Sequence, residues 1–441
     1  MQSDKQRDHL LKAGAAQVEI TPEPGIPLTG FIARLGSSTG IHDPLFARSL
    51  ALETEGQRVL VITCDLLALD AEFVCSVRAA IREATDFPES NILIACTHTH
   101  SGPATIFLRD CGEVDRQYLD RLRLALLEVA QKALANLQDA RMRSGQGHSS
   151  QGVRNRRQPG ESIDPDVGVI SFQDQSGGYL AILVNYACHP VCLDHTNRLI
   201  SADYPGVLQR ALQEQTGAVV LFTNGATGDI NPERKGSFEI AEELGANLTA
   251  ETLRILSTSA YQDCAVLQAN SEIIDLPLLP VLSSDALDRE ADRCRQALAE
   301  AEAVGDVLQG RMQKAMIGWT KATLVDVMQG IVPTRVSVEL QVIQLGGVIL
   351  AGIPGELFSE LGKEIKRSAS CQVMVVGYAN GDIGYIPTRQ AYAKGGYEIE
   401  EAYKFYGFPS ALAPEAGGQV LQSISRLMEM GSSGSADRSI E

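Results

Sequence analysis

The stretch NILIACTHTHSGP (91–103) passes from an unbroken apolar run into two histidines, His98 and His100, and then into a Ser-Gly-Pro turn. Short apolar runs that end at turn residues are typical of strands buried on both faces of a sheet. Polar residues directly behind such a strand lie at its carboxyl end, which is where α/β sheets bind their ligands. The rest of the chain contains further strands that end in the same way.

Six further segments carry short apolar, partly β-branched runs and are predicted to be buried strands. They are 58–69, 167–173, 179–190, 218–229, 338–356 and 371–385. Helical patterns separate several of them, at 72–85, 117–137 and 204–215. This alternation predicts an α/β fold in which a mixed central sheet is covered by helices on both faces. The polar strand ends are then expected to gather at one edge of the sheet.

Residues 283–330 depart from the alternation, because two helical patterns follow each other with a break near Gly305. They predict a helical hairpin inserted into the main domain, either as a lid or as a packing subdomain, with Trp319 in its core. The ends of the chain are polar and low in apolar residues. The predicted organisation is a mobile N-terminus at 1–12, one main domain at 13–430 and a disordered tail at 431–441.

The composition is that of an ordinary globular protein, with 44% hydrophobic and 21% charged residues among 441. A net charge of −17 argues against nucleic acid and against anionic membrane surfaces, because both require a basic footprint. It favours a neutral or cationic small molecule as the partner. No apolar stretch reaches the length of a membrane span, and the N-terminal sequence lacks the apolar core of a signal peptide. These features predict a cytoplasmic protein without stable membrane insertion, while oligomerisation stays open.

Three strand ends carry the residue types of a metal site. In an extended HxH, His98 and His100 would point to the same side, because side chains alternate along a strand. NYACHPVCL (185–193) places His189 behind a second strand, and IPGEL (353–357) places Glu356 behind a third. Catalytic zinc is held by histidine nitrogens and a carboxylate, with one position open for water. The alternatives are hydrogen-bonded core histidines and a carboxylate at a helix N-terminus.

Five motifs in this order, THTHSGP, NYACHPVCL, NGATGDINP, IPGEL and GYANGDIGYIP, resemble the catalytic N-terminal domain of the neutral/alkaline non-lysosomal ceramidases. The resemblance extends from about residue 13 to about residue 412. Members of this family are zinc amidases that split ceramide into a fatty acid and a sphingoid base. The resemblance implies that Zn²⁺ is the cofactor and assigns its ligands to His98, His189, Glu356 and Tyr385. Tyr378 lies close by as an alternative to the tyrosine.

The resemblance also assigns groups around the metal. His100 and Arg156, in VRNRRQPG (153–160), are expected to face the substrate or to support the ligands. The family carries a serine treated as catalytic where this chain has Asn231. An amide cannot act as a nucleophile, but it can donate a hydrogen bond to a developing oxyanion.

A second departure from the family concerns length. Ceramidases continue into a C-terminal immunoglobulin-like domain, whereas this chain is interpreted as a short member without one. Ceramide therefore becomes a doubtful substrate. The expected partner is a small-molecule acyl-amide that is smaller or more polar than ceramide.

These observations predict a zinc-dependent hydrolase in which the metal lowers the pKa of its water toward about 7, so that hydroxide attacks the acyl carbon of an amide. Tyr385 and His100 are the candidates for stabilising the oxyanion or transferring a proton to the leaving amine, with Asn231 assisting. Three alternatives remain open: a lactone or ester hydrolase, a two-metal phosphoesterase and a non-catalytic ligand-binding member. The extra ligands of the two-metal site would be Asp65, His100, Asp229 and Asn224.

Overall fold

The computed structural model describes residues 11–54, 56–157, 160, 163–262, 264 and 266–433. The strands in this part of the chain are β1 Lys12–Glu19, β2 Gly40–Ile41, β3 Phe46–Thr54, β4 Gln57–Cys64, β5 Ile92–Cys96, β6 Gln138–Asp139, β7 Arg141–His148, β8 Val153–Asn155, β9 Asp166–Gln173, β10 Tyr179–Tyr186, β11 Leu199–Ile200, β12 Val219–Asn224, β13 Ile230–Pro232, β14 Ala260–Gln262, β15 Leu267–Pro277, β16 Arg335–Leu345, β17 Val348–Gly352, β18 Glu356–Leu357, β19 Gln372–Val376 and β20 Tyr385–Ile386. The α-helices are α1 Ala71–Thr85, α2 Arg116–Ala135, α3 Asp203–Thr216, α4 Phe238–Thr258, α5 Ser284–Val304, α6 Val307–Gln329, α7 Ser359–Arg367, α8 Tyr397–Glu400, α9 Ala402–Phe405 and α10 Ala416–Ser433.

The fold is mixed α/β, as predicted, but its larger strands form three sheets and not one central sheet. The first sheet has the order β5-β4-β3-β1-β6, the second β12-β10-β9-β7-β14 and the third β15-β16-β17-β19. Each sheet is mixed, with one parallel pair at an edge: β4 with β5, β10 with β12 and β17 with β19. Apolar runs alone could not distinguish these arrangements, because a buried strand has the same pattern in either.

The three sheets share one apolar core and carry their helices on the outside. In β4, Val59 and Val61 belong to the shared core, whereas Leu60 belongs to the layer that packs on α1 and α2. This alternation follows from the two-residue period of a strand and explains why both faces of β4 are apolar. Helices α3 and α4 cover the second sheet, and α7 and α10 cover the third.

Main-chain hydrogen bonds join the carboxyl ends of strands from all three sheets. Cys96 at the end of β5 donates its N–H to the carbonyl of Tyr378, which follows β19. Gly377 in turn donates to the carbonyl of Asn224 at the end of β12, at 2.9 Å. The loops that leave these strands are therefore held at one place, which is the edge where the sequence predicted the polar residues to gather.

Helices α5 and α6 form the predicted hairpin, and the chain reverses at Gly305, which has a left-handed φ of 71°. Trp319 is buried, as predicted, and its indole N–H donates to the carbonyl of Phe408 at 2.9 Å. Arg311 donates to the carbonyl of Ile32 at 2.7 Å and to that of Asp110 at 3.0 Å. The hairpin is thus bonded to two loops of the main domain and packs against it.

The predicted terminal boundaries fall at the limits of the described residues. Strand β1 begins at Lys12 and Leu11 is buried, so the folded chain begins before residue 13. Helix α10 continues to Ser433, past residue 430. The predictions of mobility at 1–10 and of disorder at 434–441 lie outside the described residues. Within the described part of the chain, none of the helices combines the length and the apolar character that a membrane crossing requires.

Candidate metal centre

The backbone around the two neighbouring histidines differs from the prediction. Strand β5 ends at Cys96, and His98 has a left-handed φ of 72°. The predicted extended HxH is therefore wrong. Left-handed backbone is uncommon outside glycine and is retained where surrounding contacts determine it, often at functional sites. The two rings face the same site because of this turn and their main-chain partners.

Three imidazoles are held in the same way, each by a main-chain carbonyl at its Nδ1 atom. The pairs are His98 with Leu67 at 2.9 Å, His100 with Gly30 at 3.1 Å and His189 with Thr227 at 2.7 Å. A carbonyl only accepts, so each Nδ1 carries the hydrogen and each Nε2 is left as an acceptor. This orientation is the one that metal-binding histidines adopt in proteins.

The free Nε2 atoms converge on one point. The Nε2 atoms of His98 and His100 are 3.2 Å apart, and one nitrogen each from His98, His100 and His189 lies within 4.8 Å of the others. Two neutral acceptors that face each other at this distance repel unless a cation or a proton lies between them. The three histidines are therefore close enough together for their nitrogens to hold a metal ion.

Glu356 adds a carboxylate to the same point. It is buried, and its Oε2 atom lies 2.8 Å from Nε2 of His189 and 3.6 Å from Nε2 of His98. Two tyrosine hydroxyls donate to it, Tyr406 to Oε1 at 2.6 Å and Tyr378 to Oε2 at 3.4 Å. The glutamate is thus oriented on both oxygens and not left to move in the cavity.

The protonation states of these groups suit a divalent cation. Burial lowers the pKa of His98 to about 3 and lowers that of His100 well below its usual value, so both rings are neutral at pH 7. Burial alone would raise the pKa of Glu356, but the neighbouring imidazoles of His189 and His98 lower it to about 2. Neutral imidazoles beside an ionised carboxylate are the ligand forms that zinc requires.

The close approach of Gly30 to His100 explains a glycine at this position. Gly30 has a φ of 93°, and a Cβ added to it would lie 2.3 Å from Nδ1 of His100. A side chain at residue 30 would therefore push the imidazole away from the carbonyl that orients it.

Tyr385 and Arg156 lie beside the metal centre and line the same cavity. Strand β18 pairs in parallel with β20, and this pairing places Tyr385 opposite Glu356. The guanidinium of Arg156 lies 5.1 Å from the centre of the Tyr385 ring, and its Nε donates to Glu398 at 2.8 Å. Burial raises the pKa of Tyr385 well above its usual value, so its hydroxyl keeps its proton. Arg156 is therefore part of the cavity wall.

The cavity beside the centre has a volume of about 280 Å³. One part of its wall is apolar and includes Phe31, Leu67 and Met312, of which Met312 comes from α6 of the hairpin. Asn231 and Lys235 line another part. With its amide oriented to satisfy both groups, Asn231 accepts from Nζ of Lys235 at 3.1 Å and donates to the carbonyl of Ile230 at 3.3 Å.

The profile of the family described as neutral/alkaline non-lysosomal ceramidase, N-terminal, matches residues 11–254. The chain belongs to this family. It is 22% identical to the neutral ceramidase of Pseudomonas aeruginosa over 87% of this chain and 68% of that protein. Neutral ceramidase B of Dictyostelium discoideum is 20% identical over 96% of this chain and 72% of its own length.

A solved structure of neutral ceramidase from Pseudomonas aeruginosa superposes with a TM-score of 0.76 at 20% identity, covering 97% of this chain and 75% of that one. The ceramidase fold predicted from the motifs is thus confirmed. This chain is accordingly a ceramidase-family hydrolase.

The extra ligands of the two-metal alternative have other partners in this ceramidase-family chain. Asp65 is paired with Arg48, and Asp229 accepts from Asn155 and from the main chain of Ser359. Asn224 donates to the carbonyl of Thr97 and accepts from the N–H of Cys188. These three side chains hold strand ends and loops together. Of the four residues named for a second metal, His100 is the one that the structure places in the histidine cluster.

Sequence reasoning missed Tyr406 and named Tyr378 as an alternative to Tyr385. Tyr378 stacks on His98 with 3.8 Å between ring centres, and its hydroxyl also bonds to Thr227 at 2.7 Å. It therefore supports the histidines as well as Glu356. Tyr406 follows α9 in a segment without a turn or strand signal, and nothing in its neighbourhood of the sequence connects it to a residue 50 positions away.

Replacing Tyr406 by phenylalanine is expected to weaken zinc binding about 10- to 100-fold, because partners that orient a ligand contribute that much to affinity. The ring stays, and the variant loses the hydroxyl that bonds to Glu356 and also to Asp382. Titration of the metal-free protein with zinc measures the effect. Tyr403→Phe is the control, since Tyr403 belongs to α9 but its ring contacts Trp319. Equal zinc affinities for the two variants would show that Tyr406 does not orient Glu356.

Proposed function

We propose that this ceramidase-family hydrolase is a zinc-dependent amidase that cleaves an N-acyl substrate smaller than ceramide. The observation that supports it most directly is the convergence of three imidazole acceptors and one ionised carboxylate in a buried site. His98, His189 and Glu356 are the proposed zinc ligands. When bound there, zinc would acidify a water molecule and polarise the scissile carbonyl.

The remaining groups of the site have distinct proposed roles. His100 presents an unprotonated Nε2 to the centre, held by Gly30, and orients the attacking water. Tyr385 keeps its proton and donates a hydrogen bond to the oxyanion that develops from the carbonyl. Arg156 fixes the ring of Tyr385 and is itself fixed by Glu398. This assignment makes Tyr385 a hydrogen-bond donor to the substrate and not a zinc ligand.

The size of the cavity supports a substrate smaller than ceramide. Its volume of about 280 Å³ lies at the lower end of the roughly 300–1,000 Å³ that small-molecule sites occupy. The apolar wall at Phe31, Leu67 and Met312 suits the acyl chain. Met312 belongs to α6, so the hairpin limits how long that chain can be.

Zinc analysis and a substrate panel test this function. The purified protein is expected to hold one zinc per chain, to lose amidase activity with a chelator and to regain it with added zinc. N-hexanoyl amides are expected to be cleaved faster than a long-chain ceramide. Two ions per chain together with phosphoesterase activity would favour the two-metal alternative. A protein that neither retains nor recovers metal would contradict the proposal.

A further inference from the structure

The charges that line the cavity differ in sign from the charge of the whole chain. Among the described residues, Glu356 is the one carboxylate in the cavity wall, and it faces the histidines. Arg156 and Lys235 supply positive charge. Glu398 pairs with Arg156 at 2.8 Å and also with Arg157, so one carboxylate faces two guanidiniums, and Nη2 of Arg156 has no hydrogen-bond partner among the described residues. Lys235 is the second cation of the cavity wall, and no carboxylate of the described residues pairs with it.

Lys235 has no ion-pair partner within the part of the chain that the structure describes, and its ammonium group donates a hydrogen bond to the amide oxygen of Asn231. Its ammonium group has three hydrogens, so further donor positions remain. Partial burial of the ammonium and the positive charge of Arg156 lower the pKa of Lys235 to about 8, which leaves it mostly protonated at pH 7. Because Arg156 disfavours the charged form of Lys235, a bound anion would stabilise that charged form.

The loop after β13 separates two neighbouring cations. Both residues are exposed, but Arg234 pairs with Glu243 on α4, whereas Lys235 lines the cavity. Removing either side chain removes one positive charge from the same loop, but of the two residues only Lys235 lines the cavity. The chain thus contains its own matched control.

We propose that Lys235 binds a carboxylate of the substrate, so that the enzyme acts on N-acyl compounds that carry an anionic group near the scissile amide. This inference rests on the proposed amidase function and specifies its substrate class. It reverses the expectation from the net charge of −17, which favoured a neutral or cationic partner. The potential in the cavity is set by nearby groups, because charges on the outer surface are screened over about 10 Å at ordinary salt.

Binding to the zinc-free protein tests the inference without requiring catalysis. The probes are N-hexanoylglycine and its uncharged analogue N-hexanoylglycinamide, which differ in the carboxylate alone. Lys235→Met is expected to raise the Kd of N-hexanoylglycine about 10- to 100-fold, the range for a charge-assisted hydrogen bond. The Kd of the glycinamide is expected to stay unchanged. Arg234→Met should leave both values as in the parent protein.

The same pair of substrates is then used with the zinc-loaded enzyme. N-hexanoylglycine is expected to show the higher kcat/KM in the parent protein, and Lys235→Met to remove the difference mainly through KM. If the amides are cleaved but the two probes bind equally, or if Arg234→Met has the same effect as Lys235→Met, the inference is wrong and the amidase function stands. If the carboxylate is preferred in binding but neither amide is cleaved, the inference survives and the amidase function fails.

Discussion

Glu356→Gln is expected to lower kcat/KM by more than about a hundredfold and to remove most of the bound zinc. Glutamine keeps the size of the side chain and can still accept from Tyr406, so the fold is preserved. It removes the negative charge that faces His98 and His189. Even partners that only orient a zinc ligand contribute about 10- to 100-fold. Loss of the charged ligand itself should exceed that range.

The measurements are zinc content per chain and amide hydrolysis, with Glu360→Gln as the control. Glu360 lies four residues along the chain, is exposed and pairs with Lys363 and Arg367. It loses the same charge without touching the metal centre. Parental zinc content and activity in Glu356→Gln would contradict the assignment of Glu356 as a ligand.

Arg48→Met is expected to lower the free energy of unfolding by about 3–5 kcal/mol, the cost of breaking a buried ion pair by removing one partner. The side chains of Arg48 and Asp65 are 5% and 1% exposed, and their charged atoms are 2.7 Å apart. Oδ2 of Asp65 also accepts from the N–H of Phe46 at 2.9 Å. Without the guanidinium, the carboxylate stays buried beside β3 with no opposite charge.

The loss of stability in Arg48→Met should depend on pH. Burial raises the pKa of Asp65, and the charge of Arg48 opposes that rise. Removing Arg48 raises the folded pKa further above the unfolded value, which is near about 3.9. The native state of the variant then binds more protons than the unfolded state, so its stability falls as the pH rises above about 4. The deficit is therefore smallest in acid.

Urea unfolding of the zinc-free protein at several pH values measures both effects. Arg82→Met is the control, because Arg82 forms an exposed pair with Glu89. Such a pair contributes about 1 kcal/mol at most. Similar unfolding midpoints for the two variants would show that the buried pair has no special role.

The local sequence patterns were enough to predict the helices and strands whose apolar residues recur at a regular spacing. Both helices of the hairpin, the break at Gly305 and the apolar strands are confirmed, because each depends on residues close together in the chain. The division into three sheets was not predicted. It depends on which strands pair, and several of these pairs join segments far apart, such as β15 with β16 around the hairpin.

The predicted site residues illustrate the same limit. His98, His189 and Glu356 each follow an apolar strand, and the structure brings them together. The predicted extended conformation at His98 was wrong. The main-chain carbonyls of Leu66 and Leu67 accept hydrogen bonds from the N–H and the Nδ1 of His98, and both residues lie in a different loop. Lys235 was missed because no local pattern distinguishes it from Arg234. Their different directions depend on Glu243, which lies on α4.

The proposed metal ligands follow strands of three different sheets: His98 follows β5, His189 follows β10 and Glu356 follows β17. An ion bound by all three residues would connect the three sheets at one point. Binding of the ion is therefore coupled to the packing of the sheets against one another. Zinc loading would therefore raise the cooperativity of unfolding along with its midpoint. A chain in which one layer has come loose would lose its cation before it lost its secondary structure.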